Sequence, residues 1–304
     1  MLPEALKKGD YIGVIAPSDS IEQKDEEYIL KSCELVQSYG LKVIFGDYIR
    51  DNETGYGAKA ENKAKDLNKM FLDSKIKAIF AVKGGNNSNS IFEYINYNNI
   101  KNNPKIICGF SDTTSITNII YSRTGLITFS GPTFKSFTSW KTDYAFKEMI
   151  NRLMNNNLEI DKKEEIKTIV SGNSQGILIG GNLNLFSELI SGEYKVDVKD
   201  KILFLEDLGV QSSPQAISNY FYMMKQNKVF EKINGIWLGN YEHESKITIE
   251  QILLDTIGNE YNFPIIKSNH FGHIDKKITV PIGIKVEINT NSNDKIRFLQ
   301  NCVI

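Results

Sequence analysis

The feature that most constrains the fold is a regular alternation of strand and helix patterns through the first half of the chain. Short apolar runs are each followed by a longer stretch whose apolar side chains recur at helical spacing. The predicted strands are 11–16, 41–45, 76–82, 105–108 and 126–129, and the predicted helices are 26–39, 63–72, 90–95 and 113–121. Because strands separated by helices become parallel neighbours, the pattern predicts an α/β fold with a doubly wound, mostly parallel sheet.

Ligand sites in such sheets lie at the carboxyl ends of the strands, where loops lead into helices. Three loops of this chain are predicted to fall there, at 17–19, 84–87 and 109–112. Reactive side chains are therefore expected in these loops.

The second half of the chain predicts another domain. A polar stretch, 156–174, is interpreted as a linker between an N-terminal α/β domain, 1–155, and a C-terminal mixed α/β domain, 175–304. Within the C-terminal domain we predict strands at 177–179, 202–205 and 235–238 and helices at 184–190 and 214–230. Two alternating runs, 278–288 and 295–299, flank a polar turn and predict a terminal β-hairpin.

Charge and composition argue against several classes of partner. The 36 basic and 37 acidic residues leave a formal charge of -1, which gives no electrostatic reason to expect binding to nucleic acid or to an anionic membrane. The first residues lack the pattern of a signal peptide, and no apolar run is long enough to span a bilayer. Three separated cysteines, Cys33, Cys108 and Cys302, fit reduced thiols, so we expect a cytoplasmic protein.

Ser111 stands where a fold of this class would carry a catalytic nucleophile. An apolar strand, Gly109 and Phe110 precede the serine and a predicted helix follows it, which is the order found in a nucleophile elbow. The N-terminus of that helix would direct free N–H groups toward a developing negative charge. Thr113 stands where the usual elbow has a second glycine, and a serine before a helix is also a common N-cap. The local pattern leaves both roles open.

A serine nucleophile needs a base, and the chain has three histidines. His243 lies between two glutamates and is expected at the surface. His270 and His273 both precede an apolar run, and we favour His273 because Gly272 lies beside it in the predicted loop. A structural role is the alternative for each histidine.

Glu206 ends the apolar run 202–205, which we predict to be a buried strand. A carboxylate at the end of such a strand can orient the imidazole of a catalytic base. The adjacent Asp207 would point to the opposite side of the strand. The alternative is that Glu206 simply faces water.

A glycine pair, Gly84 and Gly85, follows another predicted strand and precedes Asn86. Glycines allow backbone N–H groups to approach a ligand, as in a phosphate cradle or half of an oxyanion hole, although a tight turn is the simpler interpretation. Cys108 is a rival nucleophile, but its apolar strand fits a buried, unreactive thiol better. Neither His-Glu-x-x-His nor Cys-x-x-Cys occurs, so no metal or other cofactor is expected.

Together these motifs resemble the LD-carboxypeptidase family of serine peptidases, which includes the microcin C immunity peptidases. The resemblance runs from Gly9 almost to the C-terminus. The segments that carry it are VKGGNNSN at 82–89, PKIICGFSDT at 104–113, FSGP at 129–132, GGNLN at 180–184, LFLED at 203–207 and FGH at 271–273.

The resemblance implies a catalytic triad of Ser111, Glu206 and His273. It also implies an oxyanion hole formed by the backbone N–H groups of Gly85 and Asp112. In the family the N-terminal domain carries the serine, the C-terminal domain supplies the other two side chains, and the protein is a homodimer. We expect the same arrangement here.

The resemblance also implies a small substrate, either a peptide or a peptidyl-nucleotide, and we predict Gly84, Asn86 and Asn182 as substrate-binding residues. Members of the family remove D-alanine from the murein tetrapeptide, or cleave the amide that joins an amino acid to a nucleotide in processed microcin C. Segments 84–89 and 181–184 look closer to the immunity branch. The sequence has no clear counterpart of the aromatic substrate loop of that branch, and 192–194 is where such a loop would fall.

Two other functions fit parts of the sequence. A non-catalytic small-molecule binding protein would use the glycine pair and the helix after Ser111 to hold an anion. A class I glutaminase-like amidase would use Cys108 as its nucleophile. Neither function accounts for Glu206 and His273 together, so we predict a serine peptidase.

Overall fold

The chain divides into two compact units in the computed structural model, which describes residues 1–304. The N-unit comprises Met1–Asn157, Thr279–Pro281 and Cys302–Ile304, and the C-unit comprises Leu158–Ile278 and Ile282–Asn301. The N-unit is therefore built from three separate segments, two of which come from the C-terminal end of the chain.

The N-unit contains a six-stranded sheet, made of the five strands predicted in the first half of the chain and a sixth from the C-terminal part. Its strands are β1 (Tyr11–Ile15), β2 (Lys42–Phe45), β3 (Ile76–Ala81), β4 (Ile106–Gly109), β5 (Thr128–Ser130) and β11 (Val280–Ile282). The order across the sheet is β11-β5-β4-β3-β1-β2, and β1 to β5 pair in parallel. Consecutive residues such as Ile79 and Phe80 are both buried, because the strand is covered on both faces. The predicted mostly parallel sheet is confirmed.

Helices connect these strands. They are α1 (Glu26–Ser38), α2 (Ala60–Leu72), α3 (Tyr97–Asn102), α4 (Thr114–Thr124), α5 (Ser136–Ser139) and α6 (Tyr144–Asn155). The helix predicted at 90–95 is instead a 3-10 helix, Ser88–Tyr94. It lies between Asn87, which is left-handed, and Ile95, which is extended, and so short a segment gains little from α-helical hydrogen bonding.

The C-unit contains a mixed seven-stranded sheet. Its strands are β6 (Lys167–Val170), β7 (Asn173–Asn182), β8 (Lys201–Glu206), β9 (Gly235–Leu238), β10 (Ile265–Lys267), β12 (Lys285–Asn289) and β13 (Ile296–Phe298). The order is β13-β12-β7-β8-β9-β10-β6, with β7 to β10 parallel and the flanking strands antiparallel. The pairing of β12 with β13 confirms the predicted terminal hairpin, but its first arm begins at Lys285, because residues 280–282 of the predicted arm form β11 in the other sheet.

Three helices complete the C-unit: α7 (Leu183–Glu188), α8 (Pro214–Gln226) and α9 (Ile249–Ile257). Helix α8 ends before the predicted residue 230, because Lys228 has a left-handed φ of 58° that no α-helix can contain. Strand β6 lies inside the segment that was predicted to be a linker. None of the nine helices combines the length and the apolar character needed to cross a bilayer.

Candidate active site

Ser111 lies on a sharp turn at the carboxyl end of β4. Its φ is 60°, a left-handed conformation that is uncommon for residues other than glycine and that recurs at functional turns. A 3-10 turn, Ser111–Thr113, leads into α4. Phe110 precedes the turn and Thr113 precedes α4, so Ser111 occupies neither N-cap position. The strained turn is the geometry of a nucleophile elbow rather than of a simple helix cap.

Two glycines leave room around this turn. A Cβ atom at Gly109 would lie 2.8 Å from Cγ2 of Thr113 and 3.0 Å from Cβ of Ala81, so only glycine fits there. A Cβ atom at Gly84 would lie 3.5 Å from the Ser111 hydroxyl oxygen. The glycine pair after β3 therefore lies directly beside Ser111, as expected for neighbouring parallel strands.

Gly85 has a φ of 146°, and a Cβ atom there would overlap Cγ of Asp19 at 2.2 Å. The Asp19 carboxylate accepts a hydrogen bond of 3.2 Å from the backbone N–H of Asn86. The glycine loop is thus packed against the loop that follows β1. Asn86 itself is exposed.

Asp112 is buried beneath this loop. Its carboxylate accepts a 2.9 Å hydrogen bond from the backbone N–H of Ser88, and the Ser88 hydroxyl donates at 2.7 Å to the Asp112 carbonyl. Burial raises the pKa of the Asp112 carboxyl, and the hydrogen bonds it accepts, with the charge of Lys63, oppose that shift.

The C-unit supplies a carboxylate–imidazole pair. Glu206 is the last residue of β8 and is 4% exposed, and its Oε2 lies 2.8 Å from Nδ1 of His273. His273 follows Gly272, whose φ is 128° and whose Cβ atom, if present, would lie 2.9 Å from Cβ of Asn240. A non-glycine residue would move the His273 loop away from its packed position.

Asn182 lies opposite Glu206 in the pairing of β7 with β8. Its amide nitrogen donates to Oε1 of Glu206 at 3.4 Å, and its oxygen accepts from the backbone N–H of Leu185 at 3.3 Å. This predicted substrate-binding residue therefore contacts the carboxylate of the pair and caps α7 at the same time.

The other histidines differ from His273. His270 is buried, with Nδ1 at 2.9 Å from the Ser268 hydroxyl and Nε2 at 2.7 Å from the Asp161 carbonyl, so both ring nitrogens are used in packing. The ring of His243 contacts the Ser245 hydroxyl at 2.9 Å in an exposed loop. Only His273 has a hydrogen bond to a carboxylate side chain.

Cys108 is fully buried, and its Sγ lies 3.9 Å from the Pro132 carbonyl. A Cβ atom at Gly131 would lie 2.9 Å from this sulfur, which shows how tightly the thiol is packed. A nucleophilic thiol needs access and a lowered pKa, so the packing disfavours the cysteine amidase.

No sequence pattern indicates the contacts that Asp19 and Ser88 make. The loop 17–19 was singled out by its position after a strand, but nothing in its residues indicated that Asp19 would pack on Gly85. Ser88 lies within the segment VKGGNNSN at 82–89. What distinguishes it from the nearby Ser90 is its contact with Asp112, 24 positions away in the chain.

Comparison with known proteins finds matches over both units. The model of the LD-carboxypeptidase N-terminal domain matches residues 12–131, and that of the LD-carboxypeptidase C-terminal domain matches residues 175–288. The chain is 30% identical to the "Probable murein peptide carboxypeptidase" of Bacillus subtilis (strain 168), over 95% of this chain and 91% of that protein. It is 29% identical to the microcin C7 self-immunity protein MccF of Escherichia coli, over 97% and 94%.

The solved structures agree with the sequence matches. The structure of MccF in complex with glutamyl sulfamoyl guanosine superposes with a TM-score of 0.90 and 26% identity, covering 100% of this chain and 99% of that one. The similarity therefore extends through both units.

Proposed function

The chain belongs to the LD-carboxypeptidase family and is a serine-peptidase-like hydrolase, and from this membership we propose that Ser111, Glu206 and His273 form its catalytic triad. The observation that carries the proposal is the part-buried 2.8 Å contact between Glu206 and His273. A carboxylate that holds one imidazole nitrogen fixes the tautomer and leaves the other nitrogen to exchange protons. Ser111, on its strained turn, is the nucleophile that such a pair would serve.

The proposed reaction is acyl transfer to the serine and then to water. Nε2 of His273 takes the Ser111 proton as the hydroxyl oxygen attacks the amide carbon, and the N–H groups of Gly85 and Asp112 stabilise the oxyanion. His273 then donates the proton to the departing amine. Water, deprotonated by the same imidazole, cleaves the acyl-enzyme and restores Ser111. Glu206 stabilises the imidazolium throughout.

We propose that the scissile bond is an amide between an aminoacyl or peptidyl group and a small leaving amine. One relative is named as a murein peptide carboxypeptidase, and MccF has been crystallised with glutamyl sulfamoyl guanosine, an amino acid joined to a nucleoside. Gly84, Asn86 and Asn182 would contact this substrate. Cytoplasmic location and a homodimer stay predictions.

Replacement of the triad residues tests the catalytic assignment. Ser111→Ala, Glu206→Gln and His273→Asn should each lower kcat by roughly 10^4-fold, because removing one member of such a unit disables it. His243→Asn is the matched control, since this half-buried ring interacts with the Ser245 hydroxyl and the ring of Tyr241 and has no hydrogen bond to a carboxylate. Near-normal hydrolysis by Ser111→Ala would exclude the proposal.

The substrate class requires a separate assay. Turnover of murein tetrapeptide and of processed microcin C should be measured side by side with the same enzyme preparation, using Ser111→Ala as the background. A kcat/KM at least about a hundredfold higher for one compound would show whether this enzyme acts as a murein peptide carboxypeptidase or as a microcin C immunity peptidase. If neither compound is cleaved above the Ser111→Ala background, the proposed substrate class is wrong.

A further inference from the structure

The two N–H groups of the proposed oxyanion hole come from different loops. Gly85 belongs to the loop after β3, and Asp112 belongs to the loop after β4. An oxyanion is stabilised only when both donors lie about 2.7–3.1 Å from the same point, and loss of one donor costs about 10^2–10^3-fold in kcat. The relative position of the two loops is therefore part of the proposed catalytic machinery.

Ser88 donates two hydrogen bonds to Asp112, and these bonds join the two loops. The Ser88 backbone N–H donates to the Asp112 carboxylate at 2.9 Å, and the Ser88 hydroxyl donates to the Asp112 carbonyl at 2.7 Å. Ser88 is 0% exposed and Asp112 is 1% exposed, so water cannot replace either bond.

Ser88 and Asp112 also lie close in sequence to the two proposed oxyanion donors. Ser88 follows Gly85 by three residues, after the left-handed Asn87, and it begins the 3-10 helix that anchors the loop. Asp112 directly follows the nucleophile, and its own N–H is the second proposed donor. A shift of Ser88 relative to Asp112 would thus change the separation of the two donors without altering Ser111 itself.

We infer that Ser88 and the side chain of Asp112 are positioning residues that hold the Gly85 and Asp112 amides at the separation an oxyanion requires. The inference rests on the proposed function. It assigns a role to a buried serine and a buried carboxylate that do not contact the reacting atoms.

The test uses two serines of the same turn. Ser88→Ala removes only the hydroxyl bond between the loops, whereas the control Ser90→Ala removes an exposed hydroxyl whose 2.7 Å bond to the Asn87 carbonyl stays within one loop. Both variants and the wild type should be treated with a fluorophosphonate probe, and the binding constant KI and the rate constant kinact should be measured separately.

Ser88→Ala should lower kinact about 10–100-fold with less than a twofold change in KI, since phosphonylation also passes through an oxyanion. Ser90→Ala should match the wild type. Ser88→Thr, which restores the hydroxyl, should recover most of the lost rate.

The result that would overturn the inference is equal kinact values for Ser88→Ala and Ser90→Ala. If Ser88→Ala does not fold, Asp112→Ala decides: it keeps the backbone N–H donor but removes the side-chain acceptor of the Ser88 N–H bond, so an unchanged kinact would overturn the inference. Labelling of Ser111→Ala would instead refute the proposed function, which keeps the two failures distinct.

Discussion

Glu206 and Asp207 are neighbours at the end of β8, yet their carboxyl groups lie in different surroundings. Glu206 accepts from His273 and Asn182, whereas Asp207 accepts from the backbone N–H groups of Asn184 at 3.1 Å and Leu208 at 2.7 Å. Successive side chains of a strand point to opposite sides, so one residue can join the histidine while the next anchors α7.

Asp207 should make the stability of the C-unit depend on pH. Burial and the charge of Glu206 raise the pKa of Asp207 to about 6 from the ordinary 3.8. The folded state therefore favours the protonated carboxyl of Asp207. Its contribution to the free energy of unfolding is complete below about pH 4 and is lost as the pH rises through about 6. The change amounts to about 3 kcal/mol.

Urea unfolding of the wild type and of Asp207→Asn between pH 4 and pH 7.5 measures this effect. The wild-type free energy of unfolding minus that of the variant should fall as the pH rises. Asp255→Asn, at an exposed position, controls for the loss of one negative charge. A difference that is constant over this range would contradict the raised pKa.

The pairing of His273 with Glu206 could be predicted only in part. The strand-end position of Glu206 was visible in its apolar run, because a buried strand ends abruptly at a charged residue. The partners are 67 positions apart in the chain, and the intervening sequence carries no local signal of their contact. His270 and His273 have similar neighbours in the sequence, and only the packing of His270 against Ser268 and Asp161 separates their roles.

At the scale of elements, a buried ion network joins α1 to the segments that follow β3 and β5. Asp25 is 0% exposed and contacts Lys83 at 3.0 Å and Lys135 at 2.5 Å. Burial alone would raise the pKa of Asp25, but hydrogen bonds from Lys135, from the Glu22 backbone and from Lys83 hold it at about 2. Lys83 directly precedes the Gly84–Gly85 pair, so the network anchors one end of that loop.

Asp25→Asn should lower the free energy of unfolding by about 2 kcal/mol at pH 7, the value that corresponds to a pKa held about two units low. The difference in the free energy of unfolding between the wild type and Asp25→Asn should disappear as the pH falls below about 2 to 3, because the Asp25 carboxylate then becomes protonated. Glu27→Gln is the matched control, because its pair with Lys31 is exposed. Equal stability of Asp25→Asn and Glu27→Gln at pH 7 would exclude a stabilising network.

At the same scale, strands and helices could be predicted from the local apolar pattern where similar elements repeat nearby in the chain. Strands β1 to β5 of the first sheet were predicted because each lies in a strand–helix repeat, whereas β11 was assigned to the terminal hairpin. Strand β6 was not predicted, since its apolar residues stand alone in a polar stretch and pair antiparallel with β10, almost 100 residues later. Pairing at such a distance leaves no periodic signal near either strand.

At the scale of the whole molecule, the end of the chain returns to the N-unit. Asn156, left-handed after α6, accepts hydrogen bonds from the backbone N–H groups of Cys302 at 2.9 Å and Val303 at 3.3 Å. Ile304 pairs through its backbone with Pro3 at 3.0 Å and with Ala5 at 2.7 Å. The first and last residues of the chain thus stabilise the same unit.

Asn156→Gly should destabilise the N-unit by about 1–2 kcal/mol, because it keeps the left-handed backbone but leaves two amides without their acceptor. Asn156→Asp, which keeps that acceptor, should retain most of the stability. Hydrogen exchange at the Cys302 and Val303 amides reports the effect locally. Unchanged exchange in Asn156→Gly would show that the side chain does not hold the tail.

The three-segment construction of the N-unit bears on how the protein is made. While the ribosome is still adding the C-unit, β5 is an open edge of its sheet, because its neighbour β11 has yet to be synthesised. The N-unit, which contains Ser111, is completed only after Glu206 and His273 have been synthesised, because its last two segments follow them in the chain. A chain that ends before residue 279 would therefore lack β11, and the sheet of the unit that carries Ser111 would stay incomplete.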